Sequence, residues 1–517
     1  MSTRVRIRAA ALGAAALLLA GCTGGGDDKA ASDPSTAPST AASGPASPAG
    51  TALPAALTGQ RPDWRSCPAP EGGRKPGRDW RCADVTVPLD YKKPDGATMT
   101  VALIRKEARD KDRRLGSLLF NFGGPGASGV EILPRAAVQY GELNERYDLV
   151  GFDPRGVGRS GAVVCRDDKE TAKSEAETDV TPDTPAEEAA FLADGSAFGA
   201  GCARRSGKTI AHTTTSNTAR DLDLVRQVLG DAKLHYFGMS YGTELGGTYA
   251  HLFPKNVGRL VLDAVVDPTA DNVGHARNQT IGFQRALESY LKGRGESPKA
   301  GTARIAALLD RLDRRPLPVG GRRLTDGLAV TGIVMPLYSK ESWPLLTSAL
   351  SKAENGDGSE LLRLADHYND REENGHYGTQ SHAQRAISCA DSAERPTADQ
   401  ARALLPEFRK LSPVFGPFLA WDTAGWCANW PVKGERTTPV ASAPGAAPIL
   451  VVGTTNDPAT PYEGAERMAK ELGAGVGVLV GNEGDGHGAY GTSSCVTRIV
   501  DAYLLDGKVP RNGRRCR

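Results

Sequence analysis

The segment Gly238-Met239-Ser240-Tyr241-Gly242 constrains this chain more than any other stretch of it. Glycines on both sides of a serine let the backbone turn sharply from a strand into a helix, where a Cβ would clash. The flanks supply that context: Leu234 to Phe237 reads as a buried strand, and a helical pattern runs from about Gly242 to Leu252. A serine presented this way is exposed and strained, a posture suited to a nucleophile. The sequence holds no second pentapeptide of this kind.

Such a turn needs a parallel sheet to stand on. Ala83 to Leu89 and Thr98 to Ile104 read as a hairpin, and Ser117 to Phe122 and Tyr147 to Asp153 as buried strands. Residues 218 to 229 form a helix with Leu222, Val225, Val228 and Leu229 on one face and Gly230 as its stop. Arg259 to Val266, Pro448 to Gly453 and Val476 to Val480 continue the strand series, with a helix over Tyr462 to Leu472. Strands alternating with helices predict an α/β fold with a mostly parallel sheet. From about Pro268 to Ala447 strand character fades, and amphipathic patterns at 277–291, 302–312, 342–353 and 398–411 predict a helical insertion, read as a lid.

A serine hydroxyl is a weak nucleophile until a base takes its proton, and an acid should orient that base. Of eight histidines only His487, in Gly486-His487-Gly488, lies beyond residue 382, just after the last strand candidate. The strand 448–453 runs into Thr454-Thr455-Asn456-Asp457-Pro458, which places the Asp457 carboxylate at the ligand-binding end of a parallel strand. Asp485 competes, but it stands only two residues from His487 and would reach the ring poorly from the side away from Ser240. The oxyanion formed in acyl transfer needs backbone donors. The Tyr241 N–H is one, and the loop Asn121-Phe122-Gly123-Gly124-Pro125-Gly126 offers Gly124, with Gly123 as the alternative; Pro125 has no N–H. No metal-ligand cluster of the CxxC kind occurs, and this chemistry requires neither a metal nor an organic cofactor.

The N-terminus reads as a targeting segment. Arg4, Arg6 and Arg8 precede an Ala/Leu run over residues 9–20, too short to span a bilayer, that ends Leu19-Ala20-Gly21-Cys22. The ending resembles the bacterial lipobox, in which Cys22 is lipidated after cleavage. The stretch from Thr23 to about Gly50 is rich in Gly, Ala, Ser, Thr and Pro and reads as a flexible tether. Loss of the three arginines takes the formal charge from +2 to −1. With 63 basic against 61 acidic side chains there is no field to attract nucleic acid. Cys22 also accounts for the odd count of nine cysteines. The other eight are expected as disulfides of an exported protein, paired locally as Cys67 with Cys82, Cys165 with Cys202, Cys389 with Cys427 and Cys495 with Cys516.

Taken in order, Gly123-Gly124-Pro125-Gly126, Asp153-Pro154-Arg155-Gly156-Val157-Gly158-Arg159-Ser160, Gly238-Met239-Ser240-Tyr241-Gly242-Thr243, Asp457-Pro458-Ala459-Thr460-Pro461 and Gly486-His487-Gly488 resemble the tripeptidyl aminopeptidase branch of the proline iminopeptidase-related α/β-hydrolases. The resemblance runs from about residue 60 to the C-terminus and is weakest over 290–380. It implies an exported serine exopeptidase, anchored by lipid outside the cell membrane or shed, that releases short peptides, typically tripeptides, from peptides with a free N-terminus. It also implies acids near the lid that hold the substrate ammonium, for which Asp391 and Glu244 are the candidates. The layout expected is a signal over 1–21, a tether over 22–55, hydrolase core over 56–267 and 448–517, and a lid over 268–447, in a monomer. Two other readings stand beside the exopeptidase: an esterase or lipase on the same three residues, and a tethered binding lipoprotein without catalysis.

Overall fold

The computed structural model describes residues 52–70 and 73–517. Cys22, the signal over 1–21 and most of the tether therefore lie outside the described residues. The last residues assigned to the tether already belong to the fold: Leu53 packs against the core ahead of a short helix, Ala55–Thr58, whose Leu57 is buried.

Twelve strands are present among the described residues: β1 (Arg65–Ser66), β2 (Trp80–Pro88), β3 (Thr98–Lys106), β4 (Gly116–Asn121), β5 (Tyr147–Phe152), β6 (Leu234–Met239), β7 (Val257–Asp263), β8 (Leu317–Val319), β9 (Arg322–Leu324), β10 (Ile449–Asn456), β11 (Gly477–Asp485) and β12 (Arg514–Cys516). All but β8 and β9 form one sheet in the order β1-β2-β3-β5-β4-β6-β7-β10-β11-β12. The pairings β1·β2, β2·β3 and β3·β5 are antiparallel, and every pairing from β5 to β12 is parallel. Helices cover both faces, which is why β4 and β5 are buried along their whole length and read as continuous apolar runs. Alternate residues face opposite cores: Leu119, Val150 and Tyr236 pack with helices Thr215–Val228 and Tyr241–Leu252, whereas Leu118, Phe120 and Phe237 pack with Gly129–Ala136 and Ser494–Asp506.

Between β7 and β10 the chain leaves the sheet for eight α-helices and the small β8·β9 hairpin. The four expected patterns coincide with Asn272–Gly293, Pro298–Arg314, Trp343–Glu354 and Ala398–Leu411. Asp326–Leu337 and Gly416–Gly425 carried no such signal because they are apolar nearly all round and buried, which erases a 3.6-residue period. Leu287, Leu308, Ile333, Leu350, Leu361 and Phe415 are part of a hydrophobic core of the insertion's own.

The cover is also built from a second excursion that the sequence pattern does not reveal. Asp168–Glu177 and the 26-residue helix Pro185–Ile210, both within the stretch assigned to the core, reach up to the insertion. Glu175 accepts hydrogen bonds from Tyr377 Oη and Asn369 Nδ2, and Phe198 meets His382 edge-on. Disulfides Cys165–Cys202 and Cys389–Cys427 share one buried cluster at this junction. Cys67–Cys82 and Cys495–Cys516 tie the two ends of the described chain to the sheet. Arg155, fully buried, pairs through two nitrogens with Asp221 and donates to the carbonyls of Leu89 and His212, locking the turn that follows β5.

Candidate active site

Ser240 stands between β6 and helix Tyr241–Leu252 with φ 55° and ψ −124°, a conformation that costs a non-glycine residue about 1–3 kcal/mol. Its flanking glycines are sterically required: a Cβ on Gly238 would lie 2.3 Å from the Gly242 carbonyl, and one on Gly242 would lie 2.7 Å from that of Asn121. The strained amide of Ser240 donates to the Asp263 carbonyl at 3.1 Å.

His487 follows β11 through Gly486, whose φ of 104° only glycine takes readily. Its Nδ1 lies 2.8 and 3.1 Å from the two carboxylate oxygens of Asp457, and Thr460 Oγ1 stands 3.4 Å away. Asp457, directly after β10, also accepts the amides of Ala459, Thr460 and Gly488. Burial pulls the imidazole pKa down, but the charge and hydrogen bond of Asp457, with Asp263 behind it, more than offset this and hold it above its ordinary value. The His487 amide donates to the Tyr338 carbonyl at 2.9 Å, and the Tyr338 ring meets the imidazole edge-on at 5.2 Å, so the insertion itself braces this loop.

Ser240 and His487 line one cavity of about 810 Å3, together with Phe122, Gly124 and Tyr241. Of the two candidate glycines, Gly123 is buried with its N–H given to Asn121 Oδ1 at 3.0 Å, while Gly124 is exposed to the cavity. Asp485 is turned elsewhere: it accepts from Ser289 Oγ, Asn456 Nδ2 and Lys340 Nζ.

Glu244 and Asp391, 147 residues apart in the chain, both reach the wall of this cavity. Arg436 joins them, hydrogen-bonded to Glu244 and 3.7 Å from Asp391. Asp391 also accepts the Thr215 amide at 2.8 Å and the Thr215 hydroxyl at 2.5 Å, and that hydroxyl in turn accepts from the Tyr241 phenol at 2.6 Å. Burial raises the Asp391 pKa, Glu244 adds to the rise and Arg436 opposes it. With both carboxylates ionised, two acids against one arginine leave this end of the cavity one charge negative; burial raises Asp391 to about 7, so that charge is complete above neutral pH.

Comparison with known proteins agrees with this architecture. A family model described as alpha/beta hydrolase fold matches residues 116–300, and one described as TAP-like protein matches residues 412–516. Serine protease Hip1 of Mycobacterium tuberculosis is 35% identical, over 89% of this chain and 91% of that protein. The chain belongs to the TAP-like family of α/β-hydrolases. This TAP-like hydrolase is also 32% identical to tripeptidyl aminopeptidase of Streptomyces lividans, over 88% of this chain and 86% of that protein. Carboxylesterase B of M. tuberculosis is 35% identical, over 88% of this chain and 89% of that protein.

Four residues of the site escaped the sequence reading of this TAP-like hydrolase. Thr460 lies in a quoted motif but had no role, and Tyr338, Thr215 and Arg436 belong to segments whose proximity no local pattern shows. One trio of carboxylates, Asp179, Asp313 and Asp326, has oxygens within 4.8 Å of one another, but none of the three lines the cavity.

Proposed function

We propose that the protein is a serine exopeptidase that releases short peptides, tripeptides above all, from free N-termini through an acyl-enzyme on Ser240. His487 Nε2 takes the Ser240 proton as Oγ attacks the scissile carbonyl, and Asp457 fixes the tautomer and stabilises the imidazolium. The amides of Tyr241 and Gly124 hold the oxyanion. The imidazolium returns its proton to the leaving amine, and water activated by the same imidazole hydrolyses the acyl-enzyme.

The observation that carries the exopeptidase reading is the negatively charged end of the Ser240 cavity, where Glu244 and Asp391 share one arginine. A substrate ammonium entering there gains charge-assisted hydrogen bonds and sets how many residues reach Ser240. The hydroxyl chain from Asp391 through Thr215 to Tyr241 links that anchor to the residue whose amide faces the oxyanion. An esterase acting through the same serine is favoured by one finding, the similarity to a carboxylesterase. Four disulfides support an oxidising compartment, in keeping with export and lipid anchoring at Cys22. Among the described residues no helix is long and apolar enough to cross a membrane.

A fluorophosphonate probe should label the wild-type protein and leave Ser240→Ala unlabelled. Turnover of a tripeptidyl chromogenic amide should vanish on N-acetylation. Equal turnover of the acetylated substrate rejects the exopeptidase reading and leaves the esterase.

A further inference from the structure

Asp263 ends β7, between the strands that deliver Ser240 and Asp457, and is fully buried. Its backbone carbonyl accepts the Ser240 amide. Its carboxylate accepts the Ala489 amide at 3.1 and 3.0 Å and the Tyr490 amide at 2.9 Å, two and three residues beyond His487. One residue thus grips both the nucleophile turn and the histidine loop. Its register partners complete the picture: Met239, the residue before Ser240, on one side and Val452 of β10 on the other.

We propose that Asp263 is a positioning residue for the Ser240 reaction: its carboxylate fixes the His487 loop and places a second negative charge behind the imidazolium, while its carbonyl holds the serine turn. The inference rests on the triad reading above. Burying a carboxylate without a paired cation is costly, and two backbone amides compensate only part of that cost. Its charged neighbours are Asp457 and His487 themselves, and burial accordingly raises its pKa against the opposing backbone hydrogen bonds. Around His487 the other titratable groups are Asp457 from the loop after β10 and Tyr338 from the insertion; around Asp263 they are Tyr140 and Tyr490, whose rings stack at 5.5 Å. No lysine or arginine is in either group. The negative charge of Asp263 therefore favours the protonated imidazole, the form His487 takes as the serine attacks.

Asp263→Asn removes the charge and sets an NH2 group where an amide needs an acceptor. In that variant the acid limb of kcat/KM for the free-amine tripeptidyl substrate should move down by about 0.5–1 pH unit. Its kcat should fall about 10–100-fold while KM changes less than about threefold. A folded variant with an unshifted acid limb overturns the inference, whatever its kcat. If the variant does not fold, the wild type decides: hydrogen–deuterium exchange across residues 486–492 should be as slow as in β6, and exchange at the rate of an exposed loop overturns the inference. Failure of the triad reading shows separately, as wild-type protein that the fluorophosphonate does not label.

Discussion

Asp457 Oδ1 lies 2.8 Å from His487 Nδ1, with the Asp457 side chain fully buried and the imidazole almost so. Asp485, two positions before the histidine, makes no contact with the ring and is held by Ser289, Asn456 and Lys340. Asp457→Asn should lower kcat by about 10^3–10^4-fold, because the amide side chain no longer selects the tautomer. Asp485→Asn should stay within about threefold of wild type, since its loss breaks only peripheral hydrogen bonds. Steady-state kinetics on one chromogenic substrate separates the two, and a large Asp485 effect would reassign the acid.

The charge of Asp457 also dictates the pH dependence. His487 must be neutral to accept the serine proton, and its pKa is held above the ordinary 6.5. Activity should therefore be lost as pH falls through a value above 6.5 and be fully present above it. The pH profile of kcat/KM reads this directly, and an acid limb below about 6 would contradict the ion pair.

At the other end of the cavity, Glu244→Gln or Asp391→Asn removes one of the two acids proposed to receive the substrate ammonium. Losing one charge-assisted hydrogen bond costs about 1.5–3 kcal/mol, so kcat/KM for a free-amine tripeptide should fall by about 10–100-fold. An N-acetylated ester that Ser240 still hydrolyses should be affected less than about threefold, because it brings no ammonium. Equal losses on both substrates would assign these acids to packing alone.

Cys389 lies two residues before Asp391, and its bond to Cys427 closes a loop with a sequence separation of 38. Replacing both with serine should cost about 4 kcal/mol of stability by the loop-entropy estimate. It should also raise KM for free-amine substrates more than for esters, because helix Gln380–Asp391 loses its tie to the chain after Gly416–Gly425. Denaturant unfolding and the two-substrate KM comparison check the two parts independently.

Much of the proposed catalytic geometry was legible because it is written locally. Glycines at 238 and 242, Gly486 before a lone C-terminal histidine, and an aspartate at the end of an apolar strand each report a backbone requirement within a few residues. The cover was legible only where its helices are half-exposed; Asp326–Leu337, apolar all round, hides its period, and Pro185–Ile210 mixes alanine and glycine with charges so that no clear stripe marks its buried face. Asp263 lay inside the strand read as Arg259 to Val266, which the structure ends at Asp263 itself, and nothing in that segment shows that its carboxylate reaches residues 489 and 490.

The sequence by itself determined the hydrolase sheet, the order of the proposed serine, aspartate and histidine, and the two loops proposed to supply oxyanion donors, since each follows from chain geometry over a few residues. The tertiary structure alone decided that Arg436 sits beside Glu244, 192 positions away, that Thr215 connects Asp391 to Tyr241, and that Tyr338 of the insertion braces His487. Those contacts arise from how the insertion and the 168–210 excursion settle on the sheet, a balance of buried area and paired charge that no short window of residues contains.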